Sequence, residues 1–113
     1  MGMFSRCKGK VGEREAAAEI ARLFRVDARR GRQFSGSDDS PDIRTSIPRV
    51  HFEVKRVESL RINAALDQAI CDAGASIPVV LHKQNHRPWV AIVRLDDLPE
   101  LAKQLSQSLS EST

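Results

Sequence analysis

Residues 41–55 read PDIRTSIPRVHFEVK, and the second half of this stretch decides the fold. From position 50 onward, apolar and polar side chains alternate strictly. Period-two alternation with β-branched and aromatic residues predicts a half-buried strand. On such a strand Glu53 and Lys55 leave the same face, about 6.6–7 Å apart. Asp42 lies upstream, where the turn-forming segment 35–40 gives way to a short strand.

Asp42, Glu53 and Lys55 bring together two carboxylates and an ammonium group. Mg²⁺ prefers oxygen ligands from one or two carboxylates, with waters and substrate phosphates completing its shell. An ammonium group beside such an ion can contact a nucleophile or a phosphate. We therefore expect these side chains to form one reaction centre, which the rest of the chain has to assemble.

Helical and strand patterns alternate along the chain. Apolar stripes predict helices over about 12–26 and 60–73, and a third that starts near 96. Strands are expected at 33–35, just after Asp42, and at 50–55, 77–81 and 89–93. This α-β-β-β-α-β-β-α order indicates an α/β fold with a mixed central sheet flanked by helices. Residues 1–113 form a single domain in this interpretation, with a flexible basic lead-in over 1–10 and a frayed tail over 106–113.

Composition narrows the function classes without choosing one. A chain of 113 residues with 41% hydrophobic and 29% charged residues fits one folded domain rather than a disordered segment. The net charge of +3 favours an acidic partner such as nucleic acid. Aromatic residues are only 4% of the chain, which argues against a protein that stacks bases along single strands.

Neither cysteines nor apolar runs point to an extracellular or membrane protein. Cys7 and Cys71 lie in no CxxC or His/Cys cluster, so we expect reduced thiols rather than a zinc site or a disulfide. The polar N-terminus does not resemble a signal peptide, and no apolar run reaches transmembrane length. The sequence therefore predicts a soluble cytoplasmic protein that does not act at a membrane.

Several polar residues have two interpretations each. Glu13 either complements a helix N-terminus or faces the sheet near the metal site. Gln68 is either solvated or contacts a phosphate or a metal-bound water. His51 shares the face of Glu53, where it is a bystander or a metal or phosphate contact. The arginine-rich segment 27–32 suits a helix C-terminus and equally a phosphate contact.

The spacing of the acidic residues resembles the PD-(D/E)xK nuclease superfamily. Pro41-Asp42 is followed, after ten residues, by Glu53-Val54-Lys55. Within that superfamily, the chain is most similar to archaeal-type Holliday junction resolvases and their small phage-encoded relatives. Those proteins open with a Lys-Gly…Glu-Arg-Glu helix, which matches residues 8–15. The Ser-Gly-Ser at 35–37 also fits, and the resemblance covers about residues 8–98.

The resemblance implies a restriction-endonuclease-like core and a Mg²⁺-dependent endonuclease, with Mn²⁺ as a substitute. Asp42, Glu53 and the backbone carbonyl of Val54 would bind the metal, and Lys55 would position the attacking water. Glu13 would orient a water or hold a second ion. The expected substrate is branched DNA such as a Holliday junction, and the expected assembly is a homodimer in a prokaryotic or phage-infected cell. The residues expected to contact DNA are Lys8, Lys10, Arg30, Arg32, Ser35, Ser37, Arg56, Lys83 and Arg87.

Other interpretations stay open. The connector over 43–49 contains Pro48 and two arginines, where many relatives have a tight apolar hairpin. Glu53 and Lys55 alone could be a surface ion pair, which would contribute little to stability. A non-catalytic DNA-binding module is the alternative function, and a small α/β interaction protein without a nucleic acid partner is a third. Clustered carboxylates repel DNA unless a metal is bound, which favours the nuclease.

Overall fold

The computed structural model of the protein describes residues 2–31 and 42–111, with side chains from residue 10 onward. It is an α/β structure with a mixed sheet flanked by helices, as the sequence predicts. Its elements are α1 (Gly2–Phe24), β1 (Ala28–Arg30), β2 (Ile43–Thr45), β3 (Val50–Lys55), α2 (Ile62–Ala73), β4 (Ile77–His82), β5 (Val90–Ile92), a 3₁₀ turn (Leu95–Asp97) and α3 (Leu98–Glu111). Across these ranges, no helix has both the length and the apolar character needed to cross a bilayer.

The main sheet has the order β3-β4-β5. β3 and β4 are parallel and are connected through α2, with Glu53 opposite Val80 and Lys55 opposite His82. β4 is buried from Ile77 to Leu81, which explains its continuous apolar sequence. β5 pairs with β4 in the antiparallel direction, and β1 and β2 form a separate antiparallel pair. β3 is therefore an outer strand of its sheet.

The core lies on both faces of the β3–β4 pair. On one face, Phe52 and Val79 pack with residues of α1 and α3, including Ala16, Ile20 and Leu101. On the other face, Val80 packs with Ala65 and Ala69 of α2. Because side chains alternate along β3, this arrangement directs Phe52 toward α1 and turns the polar face of the strand toward α2.

The first and last helices are both longer than the sequence indicated. α1 begins at Gly2 instead of Gly12, so the expected flexible lead-in is helical over residues 2–10. Glycine inside a helix costs only about 1 kcal/mol, so Gly9 and Gly12 do not stop it. α3 continues to Glu111 instead of fraying from Ser106. Ser108 is buried and Leu105 packs on the core, and these contacts stabilise the last part of the helix.

The segment after α1 is the other correction. α1 ends at Phe24, where Arg25 adopts a left-handed φ of 55°, rather than extending to Val26 and the following arginines. Residues 28–30 form β1, because their backbone pairs with β2 in the register Ala28 to Thr45. A helix end was the wrong interpretation of this arginine-rich segment. The strand expected at 33–35 lies outside the described residues.

Gly12 allows α1 to approach the end of β3. A Cβ at this position would lie 2.7 Å from Cβ of Arg56, which is closer than two carbon atoms can pack. Gly12→Ala should therefore lower the free energy of unfolding by about 1–3 kcal/mol through overpacking. This loss exceeds the gain of at most about 1 kcal/mol in helix propensity. Urea unfolding of both proteins measures the difference.

Ser106→Ala, at an exposed position of α3, is the matched control for helix propensity. It should leave the stability unchanged or slightly raised. If Gly12→Ala were stabilising to the same extent, the close approach of α1 to Arg56 would not be a constraint on the fold.

Candidate active site

Asp42 is held against β3 by a backbone hydrogen bond. Because β3 is an outer strand, its backbone donors are not all used by a neighbouring strand. The Val54 N–H donates to Oδ2 of Asp42 at 2.8 Å. This contact brings Asp42, at the start of β2, beside Glu53 of β3. The two acidic residues that the sequence predicted to meet are therefore adjacent.

The environment of the two carboxyl groups pushes their pKa values apart. Burial, followed by interactions with the Glu53 carboxyl and Glu13, raises the pKa of Asp42 to about 7, although the Val54 N–H opposes this shift. Burial also raises the pKa of Glu53, but the neighbouring His51, Asp42 and Asp72 outweigh it and lower that pKa to about 2. The pair therefore keeps a proton well above the pH at which an isolated aspartic acid loses it, and Asp42 is the group that carries this proton.

Glu13, on α1, joins Asp42 and Glu53 in one carboxyl group cluster. Its carboxylate accepts a hydrogen bond from Nε of Arg30 at 2.7 Å. Burial raises the pKa of Glu13 despite this arginine, and the charge of Glu53 contributes to the rise. α1 begins eleven residues before Glu13. A role at the helix N-terminus is therefore wrong, since the helix dipole acts only over the first turn.

Lys55 is fixed by a side chain of α2. Its Nζ donates to Oε1 of Gln68 at 3.0 Å. The sequence left Gln68 either solvated or in contact with a phosphate or a metal-bound water. In the structure its side chain is exposed and accepts this hydrogen bond from Lys55. The contact arises because Lys55 and Glu53 face α2, where Gln68 and Asp72 lie one turn apart.

Asp72 was not singled out from the sequence. It interacts with Glu53 and lies close to His51. Its i+4 spacing from Gln68 puts both side chains on one face of α2. That spacing alone does not show that this face covers the polar side of β3.

His51 is buried beside Glu53 rather than at the open edge of the sheet. The two side chains are each 7% exposed, and Nε2 of His51 lies 3.7 Å from Oε1 of Glu53. Within the described part of the chain, neither of these atoms has a hydrogen-bond partner. His51, Glu53 and Asp72 each offer one ligand atom, and these atoms lie within 4.8 Å of one another. A cavity of about 410 Å³ adjoins this group and is lined by Arg44, Thr45, His51, Asp72 and Ser76, among others.

The basic loop over residues 82–88 is hydrogen-bonded to Lys55, the last residue of β3, and to Glu58 beyond it. The backbone N–H of Lys83 donates to the Lys55 carbonyl at 3.2 Å. The Gln84 side chain donates to the Glu58 carbonyl at 2.6 Å, and the Asn85 N–H donates to the Glu58 carboxylate at 2.6 Å. These bonds hold residues 83–85 beside the backbone at and just after the end of β3.

The residues expected to contact DNA differ in availability. Lys10 and Arg87 are exposed, and Lys83 is partly buried with its ammonium group 3.4 Å from the Gln84 carbonyl. Arg30 is engaged by Glu13. Arg56 is only 15% exposed, and its Nη1 is buried, so it packs against α1 rather than offering a free surface cation. The side chain of Lys8 and residues Arg32, Ser35 and Ser37 lie outside the described part of the structure.

Comparison with known proteins adds no assignment. No protein-family model, no curated protein and no solved structure matches this chain. The site is therefore interpreted from its own geometry.

Crowding of the carboxyl groups predicts a pH-dependent stability. The folded-state pKa of Asp42, about 7, exceeds its ordinary value of 3.8, so the folded protein binds a proton that the unfolded chain releases. The stability contributed by this proton is full below about pH 4 and is lost as the pH rises through 7. Between pH 5.5 and 8, in EDTA, wild type should lose on the order of 1 kcal/mol relative to Asp42→Asn. Urea unfolding at the two pH values measures this.

Asp67→Asn, an exposed substitution on α2, is the control and should follow wild type at both pH values. The crowding is disproved if the difference in stability between wild type and Asp42→Asn is the same at pH 5.5 and pH 8.

Proposed function

We propose that the protein is a metal-dependent endonuclease that hydrolyses DNA phosphodiester bonds, with a PD-(D/E)xK site on a restriction-endonuclease-like core. One observation carries this proposal: the Val54 N–H holds Asp42 beside the buried Glu53, two residues before Lys55. Residues separated by a loop are thereby joined into one acidic site with an ammonium group next to it. A surface ion pair between Glu53 and Lys55 would not require this arrangement.

The arrangement of elements supports the same class. A helix and three strands precede a second helix, which crosses over to a strand parallel to β3. The helix and strand patterns of the sequence predicted this order, although the first strand is β1 rather than residues 33–35. The acidic residues lie at β2 and β3, between α1 and α2.

The donor set fits a hard divalent cation. Carboxyl groups of Asp42, Glu53 and Glu13 lie close enough to influence one another, and burial with this crowding raises the pKa of Asp42 to about 7. Such a group is held at a cost unless a positive charge neutralises it. Asp42, Glu53 and the Val54 carbonyl would hold Mg²⁺, for which Mn²⁺ substitutes. When bound, the ion would polarise the phosphoryl group and neutralise charge that develops on the leaving oxygen.

The remaining side chains would orient the reactants. Gln68 holds the Lys55 ammonium group at 3.0 Å, so that this cation is in place to position the attacking water and stabilise the transition state. Glu13 holds the Arg30 guanidinium group at 2.7 Å. Because this contact already fixes its side-chain conformation, Arg30 would contribute positive charge near the bound phosphate.

The proposed substrate is branched DNA, including Holliday junctions. The cations near the site, on the loop 82–88 and in α1, suit phosphate contacts, which carry affinity without sequence information. Selection by DNA structure is therefore favoured over selection by sequence. Two symmetric cuts need two active sites, so the active form in this proposal is a homodimer that acts on DNA of the nucleoid.

The nuclease proposal is tested by substituting the acidic pair. Wild type, Asp42→Asn and Glu53→Gln are compared on labelled four-way junction, flap and duplex DNA, with Mg²⁺ and with EDTA. Wild type should cut branched DNA only with Mg²⁺, and each variant should lose at least about 100-fold in rate because transition-state charge is no longer neutralised. Binding of junction DNA in EDTA should change little.

Asp67→Asn serves as the matched control and should cut like wild type. If wild type binds junction DNA but never cuts, the protein is a binding module instead. If both variants cut at the wild-type rate, Asp42 and Glu53 are not the active site.

Gln68 gives a separate test of the positioning of Lys55. Gln68→Leu keeps the side-chain volume but removes the acceptor for the Lys55 ammonium group. We expect a 10–100-fold loss in kcat with little change in KM, as is typical when a supporting hydrogen bond to an active-site residue is removed. The single-turnover rate at saturating enzyme measures it.

Gln107→Leu, at an exposed position of α3, is the control substitution. An unchanged kcat in Gln68→Leu would contradict the positioning role.

A further inference from the structure

We propose that His51, Glu53 and Asp72 form a site for a divalent transition-metal ion such as Zn²⁺. This site is different from the oxygen site of Asp42 and Glu53, although it shares Glu53 with it. The inference rests on the burial and geometry of these three side chains and does not require that the protein cuts DNA.

Two buried polar atoms face each other at ion-pair distance but without a hydrogen bond. Nε2 of His51 and Oε1 of Glu53 are both buried, and neither has a hydrogen-bond partner among the described residues. A buried donor or acceptor left without a hydrogen bond destabilises the folded state. Native structures rarely keep such groups unless a function, a water or an ion accounts for them.

The distance between these atoms fits a metal ion better than a hydrogen bond or a water. Their separation of 3.7 Å is too long for a direct hydrogen bond. A bridging water would hold its two partners roughly 4.5–5 Å apart, given hydrogen bonds of about 2.8 Å. Ligands at about 2.0–2.2 Å from Zn²⁺ lie roughly 3.4 Å apart in a tetrahedral arrangement. A small movement of either side chain reaches that geometry.

Asp72 supplies a third ligand from a different element. Its carboxylate, the imidazole of His51 and the carboxylate of Glu53 place their ligand atoms within 4.8 Å of one another. Two ligands on one strand and a third on α2 are held by the packing of that helix over the sheet. Three protein ligands leave a coordination position for a water or an exchangeable group. A cavity of about 410 Å³ adjoins the site on the side of His51 and Asp72.

The ligand types select the class of ion. Mg²⁺ and Ca²⁺ prefer all-oxygen shells, whereas a site with an imidazole nitrogen suits Zn²⁺ and its first-row neighbours. The carboxyl group cluster of Asp42, Glu53 and Glu13 thus matches one kind of cation, and the His51 side of Glu53 matches another.

The first experiment uses the wild-type protein, labelled with ¹⁵N-histidine, in a titration with Zn²⁺. One equivalent of Zn²⁺ should shift the Nε2 resonance of His51 and leave those of His82 and His86 unchanged. The proposal is overturned if the His51 resonance does not respond. This readout needs no substitution, so it holds even if a variant fails to fold.

The second experiment measures Zn²⁺ affinity by competition with a chromophoric chelator. His51→Gln and Asp72→Asn should each weaken binding at least about 10-fold. The control variants His86→Gln and Asp67→Asn, both at exposed positions, should bind like wild type. Asp42→Asn is measured in parallel as a variant of the oxygen site.

Equal affinity in wild type and His51→Gln would show that Zn²⁺ occupies the carboxylates alone, or only the surface, and would refute the site. Loss of binding in Asp42→Asn together with normal binding in His51→Gln would refute it as well. An absence of nuclease activity, in contrast, would refute the proposed function and leave these binding results unaffected.

Discussion

The hydrogen bond from the Val54 N–H to the Asp42 carboxylate is the contact on which the site depends. β2 is not paired with β3, so no strand ladder fixes the distance between Asp42 and Glu53. The carboxylate instead bonds directly to an outer strand of the main sheet at 2.8 Å. Everything else in the site is placed relative to β3: Glu53 and His51 on its polar face, and Lys55 at its end.

Gathering these carboxyl groups works against stability. Asp42 is partly buried, lies beside Glu53 and is influenced by the charge of Glu13, and its pKa rises to about 7 as a result. Strained or electrostatically unfavourable groups that persist in a structure are concentrated at functional sites. This cost is the physical reason for assigning a cation to the site.

Local patterns predicted the parts of the structure that local interactions determine. The alternation in β3, the apolar run of β4 and the glycine stop after α2 all match the structure, and the shared face of Glu53 and Lys55 follows from the strand period. The class of fold followed from the order of these patterns.

Features set by tertiary contacts were missed. β1 forms from an arginine-rich segment because β2 pairs with it, and a glycine stands inside α1 because a Cβ at position 12 would collide with Arg56. The Lys55–Gln68 contact and the group of His51, Glu53 and Asp72 depend on how α2 lies over the polar face of β3. The spacing of residues along the chain does not determine how α2 packs on β3.

The central claim, that the carboxyl group cluster binds a hard divalent cation, is tested most directly by thermal unfolding with and without Mg²⁺, in the absence of DNA. A ligand at ten times its Kd stabilises the folded state by about 1.4 kcal/mol. In a chain of this size, that shifts the unfolding temperature by several degrees. We expect this rise for wild type and its loss in Asp42→Asn. An unfolding temperature of wild type that does not respond to Mg²⁺, or an equal rise in both proteins, would contradict it.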